Sequence, residues 1–442
     1  MSKADTASMA HQLLTGAFGT SAQGVLEVDG IAVNALAQRF GTPLFIYSAA
    51  QMRAALTRLR AATHQRCDLF YSIKANPHPA VVRVLHEAGA GAEIASGAEY
   101  EVARRAGVAP SRIVFAGPGK SDAELHHVIS RGIAEIHVEA ADELIRIASI
   151  AEQTKTRVAV SLRINPADAA LGGSMRMGGK AIQFGIDEEQ LDAVLALLTQ
   201  SPMLDLAGIH LFAGTQILDA EVLLKQWAHG LALGKRIARQ TGKPVSTIDL
   251  GGGLGIPYFA HEQALDLALI EARFGALMAS LDDEPLLADT RIILEPGRFL
   301  AGPAGIYLSR VVSVKESRGE CFAITDGGMH HHLAASGNLG QVIKRDFPLL
   351  MANRVQDAHA DKVTVVGPLC TPLDTYGRKT PLPKPQPGDL IAIMQSGAYG
   401  LSASPIGFLS QPIAAEALID NGQVQLIREA GSFEQPLKPA IC

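Results

Sequence analysis

The chain has 442 residues, 48% of them hydrophobic and 19% charged, and its formal net charge is 39 − 44 = −5. This balance excludes an intrinsically disordered chain and offers no basic surface for nucleic acid. The four cysteines lack the CxxC spacing of a zinc site, and we find neither a signal-peptide pattern nor an apolar run of about 18 residues. We therefore expect a soluble, cytoplasmic protein of two or three domains.

The first 48 residues change in character near residue 24. Residues 1–24 are rich in Ser, Ala, Gly and Thr with weak periodicity, which predicts a loose N-terminal arm. Residues 25–48 are predicted to hold a helix and a strand, the strand being PLFIYS at 43–48. We expect this strand to complete a β domain that the chain forms after residue 300.

Eight short β-like runs alternate with helix-length amphipathic stretches between residues 49 and 299. Eight such units in about 250 residues predict a (β/α)8 TIM-like barrel. A doubly wound open sheet is the alternative, but it needs a G-x-G-x-x-G turn after its first strand, and none occurs there. The runs are 68–74, 91–95, 113–117, 135–139, 157–164, 206–212, 247–252 and 291–296.

One connection in this region is too long for an ordinary barrel loop. Residues 165–186 form a 22-residue stretch with five glycines and no periodicity. Irregular loops of this length inside a compact domain are usually functional or disordered. Because this one follows a predicted barrel strand, we expect it on the catalytic face.

After residue 300 the pattern changes to β runs joined by turns. This predicts a second, mainly antiparallel β domain over residues 300–442. The runs are 306–314, 320–327, 361–367, 389–395 and 423–429.

Residues that carry chemistry stand at the carboxyl ends of four predicted barrel strands, where barrel enzymes place their catalytic groups. Taken alone, each has an ordinary explanation: a strand-end lysine in solvent, a core histidine, a tight glycine turn and a Glu–Arg ion pair. The residues are Lys74 (YSIKAN), His210 (GIHLFAG), Gly251, Gly252 and Gly253 (DLGGGLG), and Glu295 and Arg298 (LEPGRF).

Together these residues supply complementary parts of one cofactor site. A desolvated lysine is a nucleophile, and consecutive glycine N–H groups with an arginine suit a phosphate. An imidazole can stack on a flat ring, and a carboxylate can pair with a protonated ring nitrogen. The combination fits pyridoxal 5′-phosphate, whose ring accepts carbanion electrons.

The order and wording of these motifs resemble the fold-type III pyridoxal-phosphate-dependent decarboxylases, the superfamily of diaminopimelate, ornithine and arginine decarboxylases. The resemblance covers roughly residues 30–430. It implies a cofactor-binding barrel over residues 49–299, the β domain over 300–442, and a homodimer that shares its active sites between subunits.

The resemblance also implies roles for individual residues. Lys74, His210 and Cys370 (GPLCTPLD) would be catalytic, with Lys74 bound to the cofactor and Cys370 of the other subunit protonating the substrate carbon. The implied cofactor contacts are Lys74, Glu93 (AEIAS), His210 stacked on the ring, Gly251, Gly252 and Gly253 at the phosphate, Glu295 at the pyridine nitrogen, Gly297 and Arg298 (EPGR), and Tyr399 (GAYG).

Departures from the family pattern bear on the substrate. Thr371 follows the cysteine where relatives that use diamino acids carry an acidic residue. A buried ammonium without a partner costs several kcal/mol, so a free diamino acid fits poorly unless Asp374 or another acid substitutes. The run MHHHLAAS (329–336) lacks an arginine for a distal carboxylate, and Ala213 stands in place of a phosphate-loop serine.

The motifs DGGMHHH and GPLCTPLD most resemble the butirosin-pathway branch of the family, which acts on a glutamyl group tethered to an acyl-carrier protein. A conjugated substrate, such as this one or a siderophore intermediate, needs only its α-centre recognised in the cofactor pocket. We expect Thr371, Asp374 and His332 to face the substrate. His330, His331 and His332 form either a polar substrate wall or structural hydrogen bonds; no metal is expected, since consecutive strand residues alternate faces.

Other functions stay open at this point. One is decarboxylation of free diaminopimelate or another diamino acid. A racemase shares the barrel and the cofactor, but it would carry an arginine at the ring nitrogen where this chain has Glu295. A non-catalytic pyridoxal-phosphate carrier resembles the barrel alone, and a regulatory pseudoenzyme would not keep both Lys74 and Cys370.

Overall fold

The structure is a computed structural model that describes residues 9–167, 175–176, 181–212, 214–341, 344–359 and 361–434. The chain divides into two compact units. The barrel unit comprises Ala55–Ile256 and Ala264–Phe299, and the β unit comprises Met1–Ala54, Pro257–Gln263 and Leu300–Cys442. Among the described helices, none is long and apolar enough to cross a membrane.

The barrel unit contains eight parallel strands that close on themselves. Closure is made by the pairing of the fourth and fifth strands, with Ile136 opposite Val160 and Val138 opposite Leu162. All eight predicted runs are confirmed, and the closed ladder excludes the open doubly wound sheet. The strands are Cys67–Ser72, Gly91–Ile94, Ile113–Phe115, Glu135–Val138, Val158–Asn165, Leu204–Leu211, Thr247–Asp249 and Arg291–Leu294.

Helices follow the strands and cover the outside of the barrel. The helix Ala220–Thr241 shows why they fit: Asp219 accepts a hydrogen bond from the N–H of Glu221 at its start, and Gly242 ends it with φ +63°. A Cβ on Gly230 would lie 2.6 Å from Leu250 Cδ2, so this glycine lets the helix approach the seventh strand closely. The helices that lie wholly in the barrel unit are Pro79–Glu87, Gly97–Arg105, Asp122–Arg131, Ala141–Thr154, Leu191–Thr199, Ala220–Thr241 and Leu267–Ala279. Ala49–Ala62 precedes the first barrel strand, and Ala49–Ala62 and Arg298–Ala301 each contain residues of both units.

The connection 165–186 falls largely outside the described residues. In its described part, Ile186–Asp187 adds a short strand beside Val158–Asn165, and Met175–Arg176 pairs with Gly214–Thr215. The expected functional loop at 165–186, and the replacement at Ala213, therefore stay predictions.

The β unit is built on a nine-stranded sheet that is mainly antiparallel. The predicted N-terminal strand is confirmed: Leu44–Ser48 lies between Gly305–Ser317, antiparallel, and Ala415–Asp420, parallel. The path through the sheet is Thr375–Leu382, Asp361–Val366, Glu320–Thr325, Gly305–Ser317, Leu44–Ser48, Ala415–Asp420 and Gln423–Arg428, with Leu349–Met351 and Leu390–Ile393 paired off it.

Three of these strands escape prediction from the sequence, among them the three-residue strand Leu349–Met351. Thr375–Leu382 (TYGRKTPL) carries Gly, Pro and two basic residues, and Ala415–Asp420 (AEALID) is rich in helix-favouring residues. Their neighbours in the sheet decide their conformation, because Ala415–Asp420 is paired on both sides and almost wholly buried.

The prediction of a loose arm over residues 1–24 is wrong for its described part. Phe18–Thr20 pairs with Leu26–Val28, which in turn pairs with Ile31–Ala32 before the helix Val33–Phe40. Ala10 is fully buried and joins the apolar core of the β unit. Strands of three residues are too short to show a periodic pattern, which explains the error; residues 1–8 lie outside the described residues.

Candidate active site

Lys74 stands in a single 3-10 turn, Ile73–Ala75, directly after the first barrel strand. Its Nζ lies 2.6 Å from Oε2 of Glu93, which is one residue before the end of the neighbouring second strand. The Lys74 side chain is 41% exposed, whereas that of Glu93 is 1% exposed. The hydroxyl of Ser72 also donates to the Glu93 carboxylate. The two predicted residues are therefore brought together by strand register, since Ser72 lies opposite Glu93 in the ladder.

Gly251, Gly252 and Gly253, after the seventh strand, form a glycine cradle in which none of the three positions has room for a side chain. Gly251 and Gly253 have φ +70° and +90°, in the left-handed region that favours glycine. A Cβ on Gly253 would lie 2.6 Å from the carbonyl oxygen of Gly214, and one on Gly252 would overlap the carbonyl oxygen of Glu295. Because these three residues are glycines, the backbone here can approach a phosphate more closely than it could with any residue that has a Cβ atom.

Gly297 is a point of close packing in the EPGR turn. A Cβ on Gly297 would lie 3.1 Å from the Cβ atoms of both Ser72 and Ala75. The turn that carries Glu295 and Arg298 thus packs directly on the turn that carries Lys74. The predicted anion-binding and covalent groups belong to one end of the barrel.

Glu295 and His210 meet inside the barrel. His210 Nε2 lies 3.4 Å from Glu295 Oε2, and both side chains are at most 3% exposed. Neither ring nitrogen of His210, nor Oε1 of Glu295, makes a hydrogen bond within the described residues. Burial lowers the pKa of His210 well below its usual value, and the charge of His137 adds to that, so the imidazole is neutral. A neutral ring can stack on a flat aromatic cofactor.

Three buried residues beside Glu295 are not predicted from the sequence: Glu135, His137 and Asp249. His137 Nδ1 lies 3.9 Å from Glu295 Oε1, and its Nε2 lies 3.4 Å from Glu135 Oε1 and 3.7 Å from Asp249 Oδ2. The signal was present in EIHVE, where polar residues at every second position face the barrel interior.

Burial and neighbouring charges shift the pKa values of this group in opposite directions. Burial, followed by the charge of Glu295, raises the pKa of Asp249 well above its usual range, so Asp249 keeps its proton. Burial acts to raise the pKa of Glu135 as well, but the hydrogen bonding and charge of His137 outweigh it and leave that pKa lowered. The interior therefore holds an ionised Glu135 next to His137.

A second set of buried ion pairs supports the same end of the barrel. Arg163 Nη1 lies 2.7 Å from Glu139 Oε1, and Lys120 Nζ lies 2.7 Å from Glu143 Oε1. Glu139 also accepts the N–H groups of Gly117 and Gly185. These contacts fasten the loops after the third and fifth strands, and sequence reasoning did not identify them because their partners are distant in the chain.

Cys370, Thr371 and Asp374 lie in the β unit and differ in exposure. Cys370 is an exposed free thiol, Thr371 is half-buried, and Asp374 is 2% exposed. The Asp374 carboxylate accepts the N–H of Met329 at 2.6 Å and that of Leu369 at 2.9 Å. Burial raises the pKa of Asp374, which further disfavours a free carboxylate. This geometry does not support Asp374 as the substitute acid for a substrate amine.

The three consecutive histidines are at most 1% exposed. His331 contacts the hydroxyl of Tyr307 at 3.1 Å and the carbonyl of Pro412 at 2.9 Å, and His332 contacts the Ser396 hydroxyl at 3.0 Å. These contacts favour the structural alternative over a substrate-facing wall. His332 has no surface open to a ligand in this structure, and its substrate contact stays a prediction.

Tyr399 adopts a strained backbone conformation in the GAYG turn of the β unit. Its φ is +53°, which is uncommon for a non-glycine residue and is often found at functional sites. The side chain is half-buried. Its predicted contact with the cofactor phosphate stays a prediction.

The residues of the barrel fit pyridoxal 5′-phosphate. The glycine cradle leaves space that a Cβ would fill, and Lys74 stands at the same end of the barrel with its side chain partly exposed. Oε1 of Glu295 and both ring nitrogens of His210 are buried polar atoms without a hydrogen-bond partner among the described residues, and a bound cofactor could supply one. His137, His210 and Glu295 also place atoms that could ligate a metal ion within 4.8 Å of one another, and among the described residues they are the one group of His, Cys, Asp or Glu side chains to do so. Two of the three, His210 and Glu295, are residues that the cofactor would use.

Comparison with known proteins agrees with this geometry. Residues 49–302 match the family described as "Pyridoxal-dependent decarboxylase, pyridoxal binding domain". The L-glutamyl-[BtrI acyl-carrier protein] decarboxylase of Niallia circulans is 37% identical over 412 residues, covering 92% of this chain and 96% of that protein. The diaminopimelate decarboxylase of Aquifex aeolicus (strain VF5) is 30% identical over 419 residues, covering 95% and 96%.

A solved structure extends the likeness to the whole fold. Diaminopimelate decarboxylase from M. jannaschii, in co-complex with L-lysine, superposes with a TM-score of 0.87 at 26% identity, over 96% of this chain and 98% of that one. The family match covers the barrel with Lys74, the glycine cradle and Glu295, and the likeness to whole proteins includes the β unit. The cofactor is accordingly pyridoxal 5′-phosphate, and the chain belongs to the pyridoxal-dependent decarboxylases of fold type III.

Proposed function

We propose that this decarboxylase removes the α-carboxylate of a glutamyl or related amino-acyl group carried by an acyl-carrier protein. One observation carries this choice over a free diamino acid: the Asp374 carboxylate is buried and accepts backbone N–H groups from Met329 and Leu369. Asp374 is the only acidic residue in the segment 367–374 (GPLCTPLD). A distal ammonium brought to this segment would meet no available counter-charge.

Two further features support a tethered substrate. Thr371, which follows the cysteine, is a neutral residue and can take a hydrogen bond without demanding a cation. The N. circulans enzyme, named for a glutamyl group on an acyl-carrier protein, is 37% identical to this chain, whereas related diaminopimelate decarboxylases are 30–32% identical. A carboxyl group held as a thioester carries no charge, so recognition can rest on the α-centre.

The residues of the chain divide the work of decarboxylation. Pyridoxal 5′-phosphate, when bound, supplies an electron sink for the pair left on the α-carbon as CO2 departs. Lys74 would hold the cofactor, and Glu295 would keep a proton at its ring nitrogen. The glycine cradle and Arg298 hold the phosphate. Cys370 would protonate the α-carbon after CO2 has left, and the amine product would then be released.

The experiment that tests the proposal is CO2 release measured on two substrate panels with added pyridoxal phosphate. One panel holds free meso-diaminopimelate, ornithine, lysine, arginine and glutamate. The other holds glutamate and its homologues as acyl-carrier-protein and pantetheine thioesters. We expect release from the thioesters only, and the Lys74→Ala variant serves as the inactive control on both panels.

The other outcomes are equally informative. Release from a free diamino acid would overturn the tethered substrate and assign the protein to free diamino-acid metabolism. If CO2 is released equally efficiently from the pantetheine thioester and the carrier-protein thioester, decarboxylation of a thioester is supported. The enzyme would then not recognise the carrier protein itself. Silence on both panels would overturn the proposal and favour a larger conjugate, such as a siderophore intermediate.

We also infer a homodimer in which Cys370 of one subunit serves the barrel of the other, as the family resemblance implies. Mixing the inactive variants Lys74→Ala and Cys370→Ala tests this directly. Subunit exchange would form mixed dimers with one intact site, and about a quarter of the wild-type activity should return for a random mixture. Activity that stays at zero in a mixture shown to exchange subunits would contradict a shared site.

A further inference from the structure

The barrel unit holds a polar layer where barrels usually hold apolar side chains. Glu135, His137 and Asp249 are at most 2% exposed, and Glu295 is 4% exposed. His137 lies among them, 3.4 Å from Glu135, 3.7 Å from Asp249 and 3.9 Å from Glu295. Buried charges of one sign persist only where a partner compensates them, and in the part of the chain that the structure describes His137 is the one basic side chain within 4 Å of all three acids.

The two ends of the His137 ring face different partners. Nε2 faces Glu135 and Asp249, and Nδ1 faces the free oxygen of Glu295. The other oxygen of Glu295 faces His210, whose imidazole is neutral and 4.3 Å from the His137 ring between centroids. Glu295 is therefore held between two imidazoles, of which that of His210 is neutral.

We propose that His137 is a positioning residue for Glu295: its ring, anchored at Nε2 by Glu135, faces Oε1 of Glu295 through Nδ1 and fixes the orientation of the carboxylate that meets the pyridine nitrogen. The inference rests on the role of Glu295 in the cofactor site and is independent of which amino-acyl substrate the enzyme uses. His137 does not touch the cofactor in this account; it acts only through Glu295.

The charges around the site explain why this arrangement is stable. Asp249 keeps its proton because burial and the charge of Glu295 raise its pKa, whereas the pKa of Glu135 is lowered against the effect of burial, with His137 the first of the groups that lower it. An asparagine at position 137 would remove the basic side chain that Glu135 and Glu295 both face in the water-excluded interior. Glu295 would then be held less firmly against a protonated ring nitrogen.

The test compares two cofactors with the apo-enzyme and needs no substrate. One is pyridoxal phosphate, and the other is its deaza analogue, in which carbon replaces the ring nitrogen. For His137→Asn we expect the dissociation constant of pyridoxal phosphate to rise about tenfold, the size of one charge-assisted hydrogen bond, and that of the deaza analogue to change by less than about twofold. His126→Asn, on an exposed helix position, is the matched control.

A second measurement reads the ring nitrogen itself. With an isotopically labelled ring nitrogen, the nuclear magnetic resonance shift should report a protonated nitrogen in the wild type and an unprotonated one in His137→Asn. Glu295→Gln should reproduce both effects, and the double variant His137→Asn with Glu295→Gln should add nothing to it.

Two results would overturn the proposal. Equal loss of affinity for both cofactors would mean that His137 is only structural, and unchanged affinity for both would mean that it has no role at the ring nitrogen. If His137→Asn fails to fold, the double variant with Glu135→Gln removes the uncompensated charge and keeps the comparison of cofactors possible. Because the readout is cofactor binding, a failure of the acyl-carrier proposal would leave this result unaffected.

Discussion

The Nζ of Lys74 and the Oε2 of Glu93 lie 2.6 Å apart, with the carboxylate buried and the lysine partly exposed. An ion pair of this kind orders a long side chain that would otherwise sample many rotamers at the mouth of the barrel. Ser72 holds the same carboxylate from the first strand, so Glu93 joins two adjacent strand ends. The lysine is thereby presented at the end of the barrel where the glycine cradle and the EPGR turn also lie.

The first prediction concerns covalent attachment at Lys74. Borohydride reduction of the loaded wild-type enzyme, followed by peptide mass spectrometry, should place a phosphopyridoxyl group on the peptide that contains Lys74. Lys74→Ala should carry no such group because it lacks the only nucleophile at this position. Lys243→Ala, an exposed surface change, should label as the wild type does. A labelled Lys74→Ala protein would contradict the assignment.

The second prediction uses the space around two glycines. Gly252→Ala should lower the free energy of unfolding by about 1–3 kcal/mol and weaken cofactor binding, because the new methyl group overlaps the carbonyl oxygen of Glu295. Gly275→Ala is the matched control: it lies within the helix Leu267–Ala279 with nothing within 4 Å, and should stabilise by about 0.5–1 kcal/mol. Urea unfolding and cofactor titration measure both effects. An unfolding free energy and a cofactor affinity for Gly252→Ala that equal those of the wild type would show that the cradle tolerates a side chain.

The third prediction concerns the buried carboxylate beside Cys370. Asp374→Asn replaces one acceptor oxygen with an NH2 group that faces a backbone donor, Met329 or Leu369, and should cost about 1–3 kcal/mol of stability. Amide hydrogen exchange in residues 367–374 should accelerate, since the turn before Cys370 loses its anchor. Leu373→Ala changes an exposed side chain in the same turn and serves as the control. Exchange that is unaltered in Asp374→Asn would contradict an anchoring role.

The fourth prediction concerns stability in acid. Burial lowers the pKa of His331 and of His332 to about 3, whereas an unfolded histidine titrates near its ordinary value of 6.5. The unfolded chain therefore binds these protons first, and stability that is complete above pH 6.5 falls as the pH drops toward 3. Each histidine contributes a slope of about 1.4 kcal/mol per pH unit.

Removing one of these histidines should reduce that slope. His332→Gln can keep a hydrogen bond to Ser396, and the pH dependence of its unfolding free energy between pH 4 and 6 should be shallower by about one histidine's share. His126→Gln, at an exposed position, should leave the slope unaltered. Identical slopes for His332→Gln and the wild type would show that His332 does not stay neutral in the folded protein.

The sequence by itself determined the barrel, its order of strands and the main candidate residues for the cofactor site. The alternation of β-like and helical stretches is a local property, and a (β/α)8 closure brings every strand's carboxyl end to one mouth. Lys74, His210, the three glycines and Glu295 could therefore be placed together without coordinates. The wording of YSIKAN, DLGGGLG and EPGR then indicated the cofactor.

Only the tertiary structure decided which polar groups are already occupied. From its position in the sequence, Asp374 could bind a substrate amine. In the structure its two carboxylate oxygens instead accept hydrogen bonds from the backbone N–H groups of Met329, 45 residues away, and Leu369. The segment EIHVE does not indicate which residue His137 contacts. In the closed barrel its Nδ1 lies 3.9 Å from Oε1 of Glu295, which is 158 positions further along the chain. The pairing of Phe18–Thr20 in the supposed loose arm was hidden in the same way. Burial and hydrogen-bond partners depend on contacts between distant residues, which a local pattern does not encode.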